Sequence, residues 1–206
     1  GMFQGLRIVG QVLIPGIIGP YICSAVLKNA ETVMGDDGTL SFNTATPHGI
    51  QTKNMPTSDW ALSQLSQKLG IPTGYPSKCI EAGFAPLAAQ NVNTWLAAQQ
   101  PGKRKKSVDY LVRQYKDGID AIVTKNYTCF DSPAILNTID SALDIKDWQP
   151  VGSYISDERL HVRLIQDKML NVDGEDLFPG ICIDSSDVGR TSFNVTFFNK
   201  PSIFCE

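Results

Sequence analysis

The chain has 206 residues, which is long enough to bury a sizeable hydrophobic core. Hydrophobic residues make up 42% of the chain and charged residues 19%, a balance that excludes an intrinsically disordered protein. The formal net charge of −3 argues against a protein that coats duplex DNA, because that activity depends on a basic surface. The distribution of charge is therefore more informative than its sum.

The cysteines are five isolated residues, and none lies in a C-x-x-C pair: Cys23, Cys79, Cys129, Cys182 and Cys205. This pattern argues against a disulfide framework and against a structural zinc site, and favours reduced, buried thiols. The chain has no phosphate loop and no dinucleotide fingerprint, so we expect no cofactor and no metal site.

The most apolar run of the chain extends from Ile8 to Leu27. Glycines and prolines interrupt it and would break the continuous helix that a membrane span requires. We predict one or two short strands here, no membrane association, and a cytoplasmic location in a bacterial host.

Residues 2–54 form an N-terminal segment of strands and turns whose role the sequence does not define. Residues 36–38 read Asp-Asp-Gly, which predicts the turn of a hairpin. Residues 44–55 are polar and irregular, and we interpret them as a linker.

A small helical subdomain is predicted over residues 55–101. Thr57 or Ser58 can cap a first helix, an apolar stripe follows at helical spacing, and Gly70 ends it. Pro86 opens a second helix, which Pro101 stops.

Residues 107–206 are predicted to form an antiparallel α+β core that is compact with the rest of the chain. Two strand-like runs, 109–115 and 119–124, flank a hairpin turn, and Ser132 is predicted to cap a third main helix. Further strands are predicted over 148–156, 160–164, 178–183 and 193–197. Their short connections leave no room for parallel crossovers, so the fold class is α+β with a mostly antiparallel sheet and three main helices.

Three segments carry a family pattern in order along the chain. Residues 61–75 predict a helix followed by Gly-Ile-Pro and a tyrosine, and residues 111–131 predict paired strands that lead to a tyrosine and an aspartate before a helix. Residues 174–198 place a polar motif between two strand-like runs: Ser185, Ser186, Asp187, Gly189 and Arg190. Together they resemble the phage/plasmid-like family of unknown function (DUF932-like).

The resemblance implies a phage or plasmid context and no particular reaction. The five motif residues would be structural or functional in that family. Ser185 stands where members usually carry asparagine, which weakens a role for an amide there. Members commonly continue beyond the last strand, so we expect a short or truncated member.

A basic run is the first candidate for chemistry. Residues 101–116 hold six basic residues against one acid, with aromatic residues between them: Lys103, Arg104, Lys105, Lys106, Tyr110, Arg113, Tyr115 and Lys116. Basic side chains beside aromatic platforms suit single-stranded nucleic acid, because charges track phosphates and rings stack on bases. The alternative is a solvated loop.

Acidic residues are the second candidate, at Asp173, Glu175, Asp176, Asp184 and Asp187. Carboxylates grouped in this way could hold Mg²⁺ in a metal-dependent nuclease, which is the least favoured alternative. Their spacing matches neither an EF-hand nor a two-metal nuclease motif, and we interpret them as turn and bend residues. Of the two histidines, His48 and His161, the second alternates on a strand and is predicted to face outward beside Arg159 and Arg163. Neither lies in a catalytic pattern, so we favour a protein that is not an enzyme.

The functional prediction is a non-catalytic protein of a mobile element that binds single-stranded nucleic acid during recombination or replication. The alternative is a protein-interaction module, such as an inhibitor of a host enzyme or a self-assembling accessory factor. The protein-interaction alternative rests on residues 157–187, which contain eight acidic residues and three Arg or Lys residues and could bind a basic partner.

Overall fold

The structure is a computed structural model that describes residues 22–27, 32–46, 49–98, 110–115, 117–124, 126–128, 131–156 and 158–201. These residues form two compact units. The N-terminal unit contains the described residues up to 128, and the C-terminal unit contains those from 131 onward. Every pairing between named strands is antiparallel, and four α-helices accompany them, which confirms the α+β class.

The N-terminal unit contains two three-stranded sheets. One has the order β1 (Ile22–Leu27), β5 (Tyr110–Tyr115) and β6 (Gly118–Thr124). The other has the order β2 (Thr32–Met34), β3 (Leu40–Thr46) and β4 (Gly49–Met55). The predicted β5–β6 hairpin is confirmed.

The turn between β2 and β3 lies at the predicted Asp-Asp-Gly sequence. Gly38 has a φ of +83°, in the left-handed region that favours glycine. The Asp37 carboxylate accepts hydrogen bonds from the backbone N–H of Thr39 at 3.0 Å and from its hydroxyl at 2.7 Å. The turn prediction is confirmed.

The linker predicted over residues 44–55 is wrong, because the described residues of this range form the end of β3 and all of β4. Of the described side chains of β4, only Met55 is buried, so the strand lacks the alternation that identifies strands in a sequence. Its polar side chains instead pair across the strands, as in the 2.9 Å hydrogen bond from Thr52 to Asn43.

Three helices complete the N-terminal unit: α1 (Asp59–Leu69), α2 (Tyr75–Glu81) and α3 (Ala85–Ala98). The first and third match the prediction, whereas α2 is an additional short helix. Leu65 of α1, Val92 of α3 and Ile122 of β6 belong to one hydrophobic cluster. The helices and the strands of this unit therefore share one core, and the structure groups residues 110–124 with the helices.

The C-terminal unit combines α4 (Ser132–Ala142) with a six-stranded sheet. Its strands are β7 (Trp148–Pro150), β8 (Tyr154–Ile155), β9 (Leu160–Gln166), β10 (Leu170–Val172), β11 (Glu175–Ser185) and β12 (Asn194–Pro201). β11 pairs with β9, β10 and β12, and β9 also pairs with β7 and β8. None of the described helices of the protein has the length and apolar character needed to cross a bilayer.

The pairing of β9 with β11 shows which side chains lie on each face of this sheet. Val162 lies opposite Ile183, and both pack with Ile135 and Ile139 of α4 in one hydrophobic cluster. Side chains alternate along a strand, so the residues between them project from the opposite face. We call that second side of the sheet the polar face.

Candidate functional site

The basic run lies mostly outside the described residues, including Lys103, Arg104, Lys105, Lys106 and Lys116. Its described members do not form an exposed strip. Tyr110 is 3% exposed and Arg113 is 0% exposed. Both lie on β5, the central strand of its sheet, and the guanidinium of Arg113 is 5.6 Å from the centre of the Tyr127 ring. Tyr115 is half-buried.

Tyr110 and Arg113 therefore do not lie where stacking on bases or contact with phosphates requires them. The physical reason is the position of β5. It is the central strand of its sheet, between β1 and β6, and its inward side chains belong to the hydrophobic core of the unit. The sequence prediction included Tyr110, Arg113 and Tyr115 in the basic run while it also predicted a strand over residues 109–115. The binding prediction for the residues before Tyr110 stays a prediction.

The first three residues of the motif, at the end of β11, are buried. Ser185, Ser186 and Asp187 are each less than a tenth exposed. An oxygen of the Asp187 carboxylate accepts hydrogen bonds from the backbone N–H of Ser132 at 2.9 Å and from its hydroxyl at 3.0 Å. Asp187 thus caps the first turn of α4 from 55 residues away in the chain.

The prediction that the Ser132 side chain caps α4 is wrong, because Ser132 is the first residue inside the helix. Asp131 occupies the N-cap position, and its side chain makes no capping hydrogen bond. The cap comes instead from Asp187, which no local pattern could identify.

The rest of the motif ties the end of β11 to the turn before β9. The Ser186 hydroxyl donates to the backbone oxygen of Glu158 at 2.6 Å and accepts from the backbone N–H of Arg190 at 2.9 Å. Arg190 also pairs with the Glu158 carboxylate at 2.6 Å, and Gly189 has a φ of +72°. These contacts give the motif a structural role in the C-terminal unit.

The most concentrated polar chemistry of the described residues lies on the polar face. His161 of β9 lies directly opposite Asp184 of β11, and their Nδ1 and Oδ1 atoms are 2.9 Å apart. Cys182 lies two residues before Asp184, on the same face. Its Sγ atom is 3.9 Å from His161 Nδ1 and 3.6 Å from Asp184 Oδ2. All three residues are partly exposed.

Charged and aromatic side chains surround this trio. Arg159 donates to Asp184 Oδ1 at 2.8 Å. The Tyr154 ring stacks on the His161 ring, with centroids 5.0 Å apart and planes inclined by 25°. The prediction that His161 shares a face with Arg159 and Arg163 agrees with this geometry.

A second stack lies next to the trio. The guanidinium of Arg163 is 4.6 Å from the centre of the Phe198 ring, on β12. The ring lies against Gly180 of β11, where any Cβ atom would overlap it. A glycine at this position therefore allows the close approach of the Phe198 ring to the sheet backbone.

The pKa values of the trio follow from these contacts. Burial acts to raise the pKa of Asp184, but hydrogen bonds from His161 and Arg159 outweigh it and hold this pKa below its ordinary value. Burial and the neighbouring Asp184 carboxylate raise the pKa of the Cys182 thiol.

This arrangement differs from the relay of a cysteine hydrolase. In such a relay the nucleophile and the carboxylate contact opposite nitrogens of the imidazole, and the thiol pKa is depressed. Here Cys182 and Asp184 approach the same nitrogen of His161, and the thiol pKa is raised. Cys182, His161 and Asp184 therefore do not form the relay of a cysteine hydrolase.

The acidic residues identified from the sequence do not converge. Asp173 lies in the turn between β10 and β11 with a φ of +53°, as the turn interpretation predicts. Asp176 accepts a hydrogen bond from Asn171 at 2.8 Å. Asp184 lies on the polar face, and Asp187 is buried against α4.

Sequence reasoning missed the approach of Cys182 to His161, because the two residues are 21 positions apart on different strands. The available signal was the alternation of polar residues on both strands, but it becomes informative only once their register is known.

Comparison of the chain with protein-family models, with curated proteins and with solved structures finds no match. The resemblance to the phage/plasmid-like family therefore stays a prediction.

Proposed function

We propose that this protein is a non-catalytic protein of a mobile genetic element that binds single-stranded nucleic acid through the polar face. The supporting observation is the pair of stacks on that face, Arg163 on Phe198 and Tyr154 on His161. The mobile-element context rests on the sequence resemblance alone.

The two stacks offer flat surfaces to a base. Arg163 is exposed, and its guanidinium stacks on the Phe198 ring. Tyr154 is 44% exposed, so its ring has area left for a ligand. His161 and Arg163 are two residues apart on β9, a separation of about 7 Å along the strand. Successive bases of an extended single strand can therefore contact both stacks.

The charge of this face is partly neutralised. Arg159 pairs with Asp184, and Arg190 pairs with Glu158, so these two arginines contribute little net charge. Within the described residues no carboxylate pairs with Arg163. Lys200 lies on the same strand and face as Phe198. Arg163 and Lys200 are thus the positive charges that support contact with phosphates.

Fluorescence anisotropy of a labelled single-stranded DNA at low and high salt tests the proposal. Arg163→Gln should weaken binding at low salt by roughly tenfold, because it removes both a stacking surface and a charge. Arg190→Gln is the matched control, since it removes an arginine that already has a carboxylate partner. An absence of binding by the wild-type protein at low salt, or an equal loss in the two variants, would contradict the proposal.

The basic run outside the described residues is tested in the same assay with a Lys103→Glu/Arg104→Glu double variant. If this variant loses binding while Arg163→Gln binds like the wild type, the nucleic acid is held by the basic run and the polar face is not the site. If both lose binding, both surfaces contribute.

A second candidate function is self-association as an accessory factor, favoured by β12. Within the described residues β12 pairs only with β11, which leaves its other edge available for a further strand. Phe197 is 79% exposed on this strand, and Val195 is also exposed. Antiparallel pairing of β12 with β12 of a second copy would cover both side chains and complete the edge.

Sedimentation velocity over a range of concentrations tests this second candidate. The wild-type protein should form a concentration-dependent dimer that Phe197→Lys abolishes. Phe84→Lys is the control, because Phe84 is an exposed phenylalanine of the N-terminal unit. A wild-type protein that stays monomeric at the highest concentration rules out the β12 pairing.

A further inference from the structure

Three side chains with metal-binding atoms converge on the polar face from two neighbouring strands. His161 offers Nδ1, Cys182 offers Sγ and Asp184 offers a carboxylate oxygen, all within 4.8 Å of one another. We propose that these residues bind a divalent transition-metal ion, with zinc as the preferred occupant. The proposal does not depend on the nucleic-acid function.

The distances from Cys182 to the other two groups match a tetrahedral centre. Typical zinc–sulfur, zinc–nitrogen and zinc–oxygen bonds place a thiolate about 3.6 Å from either of the other two ligands. The observed separations from Cys182 Sγ are 3.6 Å to Asp184 Oδ2 and 3.9 Å to His161 Nδ1. Only small side-chain movements would therefore complete the geometry.

The ligand types favour zinc over magnesium or calcium. Thiolate and imidazole are the donors that zinc and its neighbours in the first transition row prefer, whereas magnesium and calcium prefer oxygen donors. Binding requires the thiol of Cys182 to lose its proton to solvent. The thiolate and the Asp184 carboxylate then balance the two positive charges of the ion, so the bound centre carries no net charge of its own.

The two oxygens of Asp184 would have different roles: one would bind the metal, and the other would keep its hydrogen bond from Arg159. Oδ1 accepts from Arg159 and from His161 Nδ1, while Oδ2 faces the Cys182 sulfur. Metal binding at Nδ1 would replace the hydrogen bond from His161 to Oδ1, and the ring proton would then lie on Nε2. A metal bound through Oδ2 leaves the hydrogen bond from Arg159 to Oδ1 intact, an outer contact of the kind that orients carboxylate ligands. The Tyr154 ring stacks on His161 and restrains the orientation of the imidazole.

Three protein ligands leave the fourth tetrahedral position to a molecule from solvent. The three residues are only partly buried, so this position is accessible from the polar face. Water or an anionic oxygen can occupy it. The site therefore resembles zinc centres that bind a ligand more than closed structural zinc centres.

Cobalt(II) is a suitable probe, because a bound thiolate produces a charge-transfer band in the near ultraviolet and tetrahedral geometry produces visible bands. Titration of the reduced protein should develop both bands at one equivalent, and zinc should displace the cobalt. Cys182→Ser should abolish the charge-transfer band and weaken cobalt binding at least about 100-fold. Cys79→Ser, which changes the other described free cysteine, should leave both unchanged.

A second measurement distinguishes loss of the metal site from a folding defect in Cys182→Ser. Zinc should raise the melting temperature of the wild-type protein and not that of His161→Gln, which keeps the thiol. No charge-transfer band in the wild type, or an equal band in Cys182→Ser, would overturn the proposal. Equal stabilisation of wild type and His161→Gln by zinc would overturn it as well.

Discussion

Helices α1 and α4 begin in different ways. The Ser58 hydroxyl accepts a hydrogen bond from the backbone N–H of Ala61, three residues later, and thereby caps α1. The first turn of α4 is instead capped by Asp187, which follows β11. One helix carries its start signal in its own sequence, and the other receives it from the folded sheet.

The motif that contains Asp187 can be important for the fold without being a reactive site. Asp187 is buried, and its carboxylate accepts hydrogen bonds from the backbone N–H and the hydroxyl of Ser132, at the helix terminus. The trio on the polar face is partly exposed, and its contacts join side chains to one another. Bonds to backbone hold a fold together, whereas side chains that share hydrogen bonds near solvent can exchange them for a ligand.

The largest expected effect is that of Asp187→Ala. It removes a buried charged acceptor and leaves the first turn of α4 without its cap, so the free energy of unfolding should fall by about 3 kcal/mol. Urea unfolding measures it. Asp176→Ala, an exposed aspartate on β11, should cost less than about 0.5 kcal/mol. Equal losses in the two variants would show that α4 does not depend on the remote cap.

Gly189→Ala should have the next largest effect. Gly189 has a φ of +72°, and a side chain in that conformation costs about 1–2 kcal/mol. The loss appears as a lower urea midpoint. Gly118→Ala, at a glycine with no such φ and with only ordinary contacts around its Cβ position, is the comparison. A Gly189→Ala protein as stable as the wild type would mean that the motif tolerates another backbone path.

Ser58→Ala tests the local cap of α1. It removes the acceptor for Ala61 and the 3.1 Å hydrogen bond to the backbone oxygen of Asp120, so the free energy of unfolding should fall by about 1 kcal/mol. Circular dichroism during urea unfolding follows the change. A loss larger than that of Asp187→Ala would reverse the order of the two caps.

Arg190→Gln should have the smallest effect, less than about 1 kcal/mol. Its ion pair with Glu158 joins two side chains that are each more than two-fifths exposed, so water screens the attraction. The backbone hydrogen bond from Arg190 to Ser186 survives the substitution. Thermal melts at low and high salt measure the difference. A large loss at both salt concentrations would assign Arg190 a packing role.

Elements with local signals were predictable from the sequence. Capping and spacing predicted α1, the Asp-Asp-Gly turn predicted the β2–β3 connection, and alternation predicted the β5–β6 hairpin. β4 was missed because its described side chains are mostly solvated. α2 was missed because Gly74, at its N-cap, has no side chain to form a cap.

The candidate site was predicted only in part. Alternation on β9 places His161 and Arg163 on one face, as the sequence predicted. The same reasoning could not identify Cys182 as a neighbour of His161, because that contact depends on the pairing of β9 with β11. It also treated Tyr110 and Arg113 as surface residues, whereas β5 is a central strand and both are buried.

Local sequence patterns predict the fold class, most helix positions and the turns, because these follow from hydrogen bonds and side-chain periods that span only a few residues. The carboxylate that caps α4 and the cysteine that contacts His161 are set by the folded sheet. Both depend on strand register, and a shift of one residue would send every side chain of β11 to the opposite face of the sheet.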